Sequence, residues 1–364
     1  MRSGRLLALV AVLPSLVGFA PHAAEGAAEG AGEGAGRRSS VEFRFADPAI
    51  VESSGLVSRE GLFVTVNDSG DTGRVFTVDP ADGRTVGVTT WTTDGRAPED
   101  VEALAPMLDR SDRGGAGHGA VWVGDIGDNL AVRDSVTVVR VPFGRGDRTV
   151  TPTSYELTYP GGASDAETLL VDPDGRLLVV TKGLFGAQVM IAPKTLDAHA
   201  PNRLRRLGVA LAYATDGAFF PDGRHLIVRG YSSAAVYTYP DLVEVGYVEL
   251  PAQPQGEGIA VDEDGAVFVS TEGARSRVLR VRLPAAIAEA VAPVRIVPAM
   301  PSTPSTPAAP STHGSPPGSP QATGGPAQGA GADVAPGGAS RWPWALGGLL
   351  GLGALVLVRS LRRP

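Results

Sequence analysis

Two columns of polar residues recur along this chain at positions where they could do chemistry. The first column is Ser54, Glu102, Glu167, Asp216 and Glu257, each at the start of a short apolar run. The second is Asn67 with Asp68, then Asp125, Lys182, Arg229 with Tyr231, and Glu272, each just after another apolar run. Carboxylates gathered in one place raise one another's pKa, pair with cations or bind a hard metal ion. Asp125, Glu167 and Glu257 are therefore candidates for a general acid and base pair. Asp68, Asp71, Asp125 and Asp128 lie in Gly-rich loops and, with Glu167, are candidate ligands for Ca²⁺. Each acid also has a structural alternative. Asp, Asn and Gly are the ordinary residues of tight turns, and acids beside strands accept backbone N–H groups.

Several chemistries are poorly supplied. The 364 residues include no Cys, which excludes thiolate catalysis, thiolate metal sites and disulfides. No G-x-S-x-G string occurs, and no two of the five His residues have zinc-ligand spacing. Trp91 and Trp122 are the only tryptophans outside the C-terminal region, a poor supply for an aromatic sugar platform. The net charge is −7, and Lys182 and Lys194 are the only lysines, which argues against nucleic-acid binding.

The elements that must position these residues form a repeat. A polar residue, an apolar run, a tight turn (a longer loop in the second repeat) and a second apolar run recur five times, every ~40–65 residues. Glu60-Gly61, Asp174-Gly175, Asp222-Gly223 and Asp264-Gly265 stand between the runs, and such dipeptides signal hairpins. Two further strand-like runs follow each pair, so each repeat predicts a four-stranded meander, the size of one propeller blade. The fifth repeat shows only three strands, and residues 41–45 supply a fourth from the other end of the chain. The expected fold is all-β: a five-bladed β-propeller closed by its N-terminal strand. A six-bladed ring using 285–298 is the alternative, and a β-sandwich explains the strands but not the repeat. In a meander the loop before the first strand and the loop after the second lie at one end. Both polar columns should therefore ring the mouth of the central channel.

The ends of the chain read as address signals. Arg2 and Arg5 precede an apolar stretch at 6–20 and small residues at Ala20, Ala23 and Ala24, the pattern of a cleaved signal peptide over 1–24. Residues 25–40 predict a flexible leader, 41–298 the propeller, and 299–340 a Pro/Ser/Thr/Gly-rich disordered stalk. Residues 341–364 predict one transmembrane helix with a short basic cytoplasmic tail. The apolar stretch at 342–358 is flanked by Trp342 and Trp344 on one side and Arg359, Arg362 and Arg363 on the other. The expectation is a single-pass cell-membrane protein with its propeller extracytoplasmic.

Several strings resemble those of an uncharacterised bacterial β-propeller family of the WD40/NHL/TolB-like kind. They are Glu52-Ser53-Ser54-Gly55-Leu56, Asn67-Asp68-Ser69-Gly70 and Gly124-Asp125-Ile126-Gly127-Asp128-Asn129, with Asp100-Val101-Glu102, Asp165-Ala166-Glu167 and Gln255-Gly256-Glu257. The resemblance covers about residues 45 to 275. It implies a secreted or membrane-anchored propeller and carries no reaction with it. Members tend to have a further acid after the Asp-x-Glu string, where this chain has Ala103.

Three functions compete. The first is a surface-displayed binding module whose acidic mouth recognises a small ligand, glycan or protein. The second is a hydrolase, lactonase- or esterase-like with Ca²⁺ or glycosidase-like, using the axial carboxylates. The third is a surface scaffold in which the acids only close the ring. A propeller fold by itself does not choose among them.

Overall fold

The apolar runs fold into hairpins because the residues between them tolerate left-handed backbone. Glu60 and Gly61 have φ of 55° and 72°, the two-residue turn whose twist matches that of the strands it joins. Across it Arg59 pairs with Leu62. The computed structural model describes residues 39–68, 70–107 and 119–292. The expected signal peptide, stalk and transmembrane helix, and nearly all of the leader, lie outside these residues. No helix among the described residues is long and apolar enough to cross a membrane.

The chain begins with β1 (Ser39–Arg44). The first meander is β2 (Ser53–Arg59), β3 (Leu62–Asn67), β4 (Arg74–Asp79) and β5 (Arg84–Trp91). The second is β6 (Val101–Pro106), β7 (Ala120–Asp125) and β8 (Val136–Pro142), then a short β9 (Arg148–Val150) and β10 (Ser154–Thr158). The third is β11 (Ala166–Val171), β12 (Leu177–Thr181) and β13 (Ala187–Ile191), then a two-residue β14 (Asn202–Arg203) and β15 (Arg205–Ala210). The fourth is β16 (Asp216–Phe219), β17 (His225–Arg229), β18 (Ser233–Thr238) and β19 (Glu244–Glu249). The fifth is β20 (Gly256–Val261), β21 (Val267–Thr271) and β22 (Arg277–Val281), followed by helix α1 (Ala285–Ala290).

These strands form five sheets, and β1 pairs antiparallel with β22 to complete the fifth. The fold is a five-bladed β-propeller closed by its N-terminal strand, which starts at Ser39, two residues ahead of the expected boundary. The six-bladed alternative is not realised. Residues 285–290 are helical, and Ile287 of that helix is buried in the core of the fourth and fifth sheets. Two strands were not expected. β9 adds parallel to β5, and β14 adds parallel to β10. Each covers the outer edge of the preceding sheet, which would otherwise offer unpaired backbone groups.

Five apolar clusters hold the ring together, each between neighbouring sheets. Val57, Val64 and Trp91 of the first sheet meet Leu104, Val123 and Phe143 of the second. Trp122 and Val138 meet Leu169 and Val179, and Leu178 and Val189 meet Leu226 and Val228. Ile227 and Val236 meet Ile259 and Val269. Phe43, Phe63 and Phe268 close the ring between fifth and first. Each sheet is covered on both faces, so inner strands such as β11 are buried along their whole length. A strand of that kind carries continuous apolar sequence rather than alternation.

The innermost strands β2, β6, β11, β16 and β20 surround the axis. They approach closely at glycines. A Cβ on Gly55 would lie 2.6 Å from Leu104 N, and one on Gly258 would lie 2.8 Å from Leu56 Cβ. Asp216 ties three of these strands together. Its Oδ2 accepts the N–H groups of Leu56 (3.2 Å) and Ile259 (2.8 Å), and its Oδ1 that of Gly217 (2.8 Å).

Candidate functional site

A repeated irregularity sets the acids at the mouth. In the second sheet Val101 pairs with Asp125 and Ala103 with Gly124, so Glu102 is an extra residue in the ladder. In the third, Ala166 pairs with Thr181 and Thr168 with Val180, so Glu167 is the extra residue. The first and fifth sheets shift register at the same place, between Ser53 and Leu56 and between Gly256 and Ile259. A β-bulge breaks the alternation of side chains and re-aims the unpaired residue. Here it occurs where Ser54, Glu102, Glu167 and Glu257 stand.

The first part of the site is a group of three carboxylates. Asp68 follows β3, Asp100 precedes β6, and Glu102 lies within β6. Each offers one oxygen, and these oxygens all lie within 4.8 Å of one another. Glu102 also accepts the Ser54 hydroxyl at 3.1 Å. Burial first, then the charges of Glu167, Asp68 and Asp100, raise Glu102 well above the usual carboxylate range. Burial, with Asp68, Asp165 and Asp125 adding to it, raises Asp100 to about 6. Gly127, at the centre of the Gly-Asp-Ile-Gly-Asp-Asn string, makes room for both side chains.

The second part is a cation held between sheets. Lys182 donates to Glu167 Oε1, and its ammonium lies 5.4 Å from the centre of the Tyr231 ring. Burial works to lower the pKa of Lys182, but Glu167 and Tyr231 outweigh it and the amine stays charged. Burial raises Glu167 well above its ordinary value even with Lys182 opposing, and Glu257 and Asp165 add to the rise. Glu167 Oε2 is buried without a hydrogen-bond partner among the described residues. Burial also raises Tyr231, to about 12.

The third part belongs to the fifth sheet. Gln255 Nε2 donates to Glu257 at 3.1 Å and to Glu272 at 2.5 Å. Burial raises the Glu257 carboxyl, against the pull of Lys182, Gln255 and Arg229.

The remaining residues of the two columns, and the candidate ligands Asp71 and Asp128, serve the framework. Asn67 Oδ1 accepts from Val51 N and Glu52 N, and its amide donates to Ala49 O. Asp71 is paired with Arg74 at 2.7 Å. Asp125 accepts Glu99 N, Asp100 N and the Arg133 guanidinium, all near 3.0 Å. Asp128 caps its own loop by accepting Val132 N and Arg133 N. Arg229 is fully buried and donates to the carbonyls of Gly230, Gly258 and Ser270, stitching the fourth sheet to the fifth. Asp216 is committed to the N–H groups of Leu56, Ile259 and Gly217. Of the five candidate metal ligands, only Asp68 belongs to the three-carboxylate group, while Glu167 faces Lys182. Of the candidate acid–base residues, Asp125 is committed to backbone and arginine, leaving Glu167 and Glu257 in the mouth.

Asp100, Asp165 and Gln255 are the residues that the two columns missed. A signal was present: each stands two places before an acid of the first column, as Asp100-x-Glu102, Asp165-x-Glu167 and Gln255-x-Glu257. Asp165 is raised by burial and accepts Asp128 N at 2.8 Å.

The opposite end of the axis is chemically different. A cavity of ≈ 370 Å³ there is lined by the far ends of the inner strands, including Leu169, Val171, Phe219 and Val261. It holds none of the residues of either column.

No family model matches the sequence. No curated protein matches it either. The chain is similar in fold to several solved structures. Glutaminyl cyclase from Myxococcus xanthus shares 13% identity at a TM-score of 0.43, over 67% of this chain and 95% of that one. A gluconolactonase from Xanthomonas campestris shares 13% identity at a TM-score of 0.39, over 68% and 89%. A glucose dehydrogenase shares 10% identity at a TM-score of 0.40, over 68% and 99%. Likeness at this distance bears on neither activity nor substrate.

Proposed function

We propose that this protein is an extracytoplasmic, membrane-anchored binding propeller whose axial mouth captures a hard divalent cation and, through it, an oxygen-bearing ligand. The convergence of Asp68, Asp100 and Glu102 carries this reading. Three carboxylates so close, two of them raised in pKa, need either protons or a cation to offset their repulsion. The donor set fits Ca²⁺. All three donors are oxygens, and two oxygens on one Ca²⁺ lie at most about 5 Å apart, twice its bond length. Ca²⁺ takes 6–8 oxygens, so three protein donors leave positions open for ligand oxygens. Trp91 and Trp122 are buried in the core and supply no stacking surface for a sugar.

Membrane anchorage rests on the sequence of residues 341–364 and its flanking Trp and Arg residues, and secretion on residues 1–24. The Gly-Asp-Ile-Gly-Asp-Asn and Asp-x-Glu strings support membership of the bacterial propeller family they resemble. Neither the charge nor the mouth suits nucleic acid.

The test is thermal melting of the purified protein with Ca²⁺ and with chelator. A cation that binds only the folded state at a hundred times its dissociation constant should raise the midpoint by about 5–10 °C. The rise should vanish in Glu102→Gln and Asp100→Asn. No rise in the wild type would overturn the reading.

A hydrolase is the second reading. It is favoured by Glu167, whose buried Oε2 has no hydrogen-bond partner among the described residues while its Oε1 is held by Lys182. A carboxyl in that setting can exchange a proton with a bound ligand. Turnover of a lactone, ester or phosphoester that disappears in a Glu167→Gln protein that still folds would establish it.

A further inference from the structure

We infer that the mouth-side rim of the second and third sheets is a docking surface for a basic, apolar-rich segment of a partner protein. Large apolar side chains stand exposed there on two neighbouring loops. Leu130 and Val132 lie on the loop between β7 and β8, 78% and 70% exposed. Phe185, 98% exposed, and Leu184 lie on the loop between β12 and β13. Exposed Val209 of β15 lies against the second loop, since a Cβ on Gly186 would come 2.9 Å from its Cγ1. The other exposed large apolar residues among those described, Val41, Val51, Val243 and Tyr247, are not on these loops. Single exposed apolar residues are ordinary, whereas a group at the edge of a polar cleft marks an interaction site.

The two loops are joined through one residue. Asp165 Oδ1 accepts Asp128 N at 2.8 Å, and its backbone carbonyl accepts Lys182 N at 2.9 Å. The first loop is also firmly braced. Ala131 N donates to Asp128 O at 2.8 Å, the Asp128 carboxylate takes two further N–H groups, and Arg133 bonds Gly127 O and Asp125. Leu130 and Val132 thus stand exposed on a loop in which the N–H groups of Ala131, Val132 and Arg133 are already bonded to Asp128. Apolar side chains held in place lose little freedom on binding, which suits them to anchor a partner.

Charge selects the partner. Asp68, Glu99, Asp100, Asp134 and Asp165 surround the rim, while its cations Arg133 and Lys182 are each engaged by carboxylates. The field favours a segment that carries Lys or Arg between its apolar residues. An anionic membrane surface would be repelled. This inference rests on the reading that the mouth end is the binding face, but not on the cation.

The experiment is fluorescence anisotropy of the full-length protein with three short synthetic peptides of equal length. One alternates Lys and Leu, one Lys and Ser, and one Glu and Leu. Each titration is run in Ca²⁺ and in chelator. The Lys–Leu peptide should bind, and the other two should bind at least about tenfold more weakly. The Leu130→Ser/Phe185→Ser variant should weaken the Lys–Leu peptide by at least about tenfold, with its melting curve unchanged. Equal binding of the Lys–Ser peptide, no effect of the double variant, or no binding at all would overturn the docking surface. So would binding to phosphatidylserine vesicles that the double variant abolishes, which would make the rim a membrane contact. Peptide binding without a Ca²⁺-dependent melting shift counts against the cation site alone. A melting shift without peptide binding counts against the rim alone.

Discussion

A side chain on Gly127 would collide with Asp100. A Cβ built there lies 2.5 Å from Asp100 Oδ2 and 2.8 Å from Glu102 Cγ. Gly127 belongs to the loop after β7, and the two acids belong to the start of β6. The glycine leaves the space in which two of the three clustered carboxylates stand. Gly127→Ala should therefore push both acids off their positions. The expected result is a midpoint lowered by a few degrees and an affinity for Ca²⁺ reduced by about tenfold or more, since displaced ligands lose their geometry. Calorimetric titration with Ca²⁺ checks the second part. Unchanged affinity in a folded variant would show that the space has no bearing on the site.

Asp100 should make stability depend on pH in a definite direction. Burial, reinforced by Asp68, Asp165 and Asp125, raises its carboxyl from 3.8 to about 6. A group whose pKa is raised by folding stabilises fully below its unfolded pKa, and that contribution is lost as pH rises through the folded value. The window is therefore about pH 4 to 6. Asn mimics the protonated form, so in chelator Asp100→Asn should match the wild type near pH 4 and melt at a higher temperature by pH 7. Added Ca²⁺ should reverse the order at pH 7, because only the carboxylate can bind it. A difference between the two proteins that is constant across pH 4–7 in chelator would refute the assignment.

Lys182 and Glu167 should prove strongly coupled. The side chains are 18% and 6% exposed, and Lys182 stands in a mouth otherwise crowded with acids. Lys182→Met leaves Glu167 buried without its cation, a change that destabilises far more than losing a surface pair. Glu167→Gln leaves Lys182 without its main partner. The double variant removes both problems. Urea unfolding of the four proteins should give a coupling energy of about 1–3 kcal/mol. Effects that simply add would mean that the two side chains act independently and that the amine is held by Tyr231.

Five sheets were legible because the hairpin signal is local, and their closure because the last repeat lacked one strand. A tight connection needs backbone with positive φ, which Glu60 and Gly61 supply in a two-residue turn and Gly175 supplies in the five-residue loop between Val171 and Leu177. The missing fourth strand of the last repeat pointed to the N-terminus, and β1 pairs with β22. β9 and β14 were not legible. They are three and two residues long, and each joins the outer edge of an earlier sheet, a pairing that no run of neighbouring residues encodes. Residues 285–298 offered part of a sixth blade as the alternative, and 285–290 are instead helical with Ile287 packed into the core of the fourth and fifth sheets.

The sequence by itself determined the repeat, the ring that follows from it and the end at which the two polar columns meet. It also determined that the mouth would be acidic, since acids recur at the same place in the repeat. Only the tertiary structure decided which acids are available. Asp125 and Asp128 share a Gly-rich string, yet Arg133 and backbone N–H groups occupy both. Asp216 shares its column with Glu102 but is spent on the N–H groups of Leu56 and Ile259, which come from other sheets. The reason is physical. A buried carboxylate is defined by the donors that reach it, and in a closed ring those donors come from strands far apart in the chain.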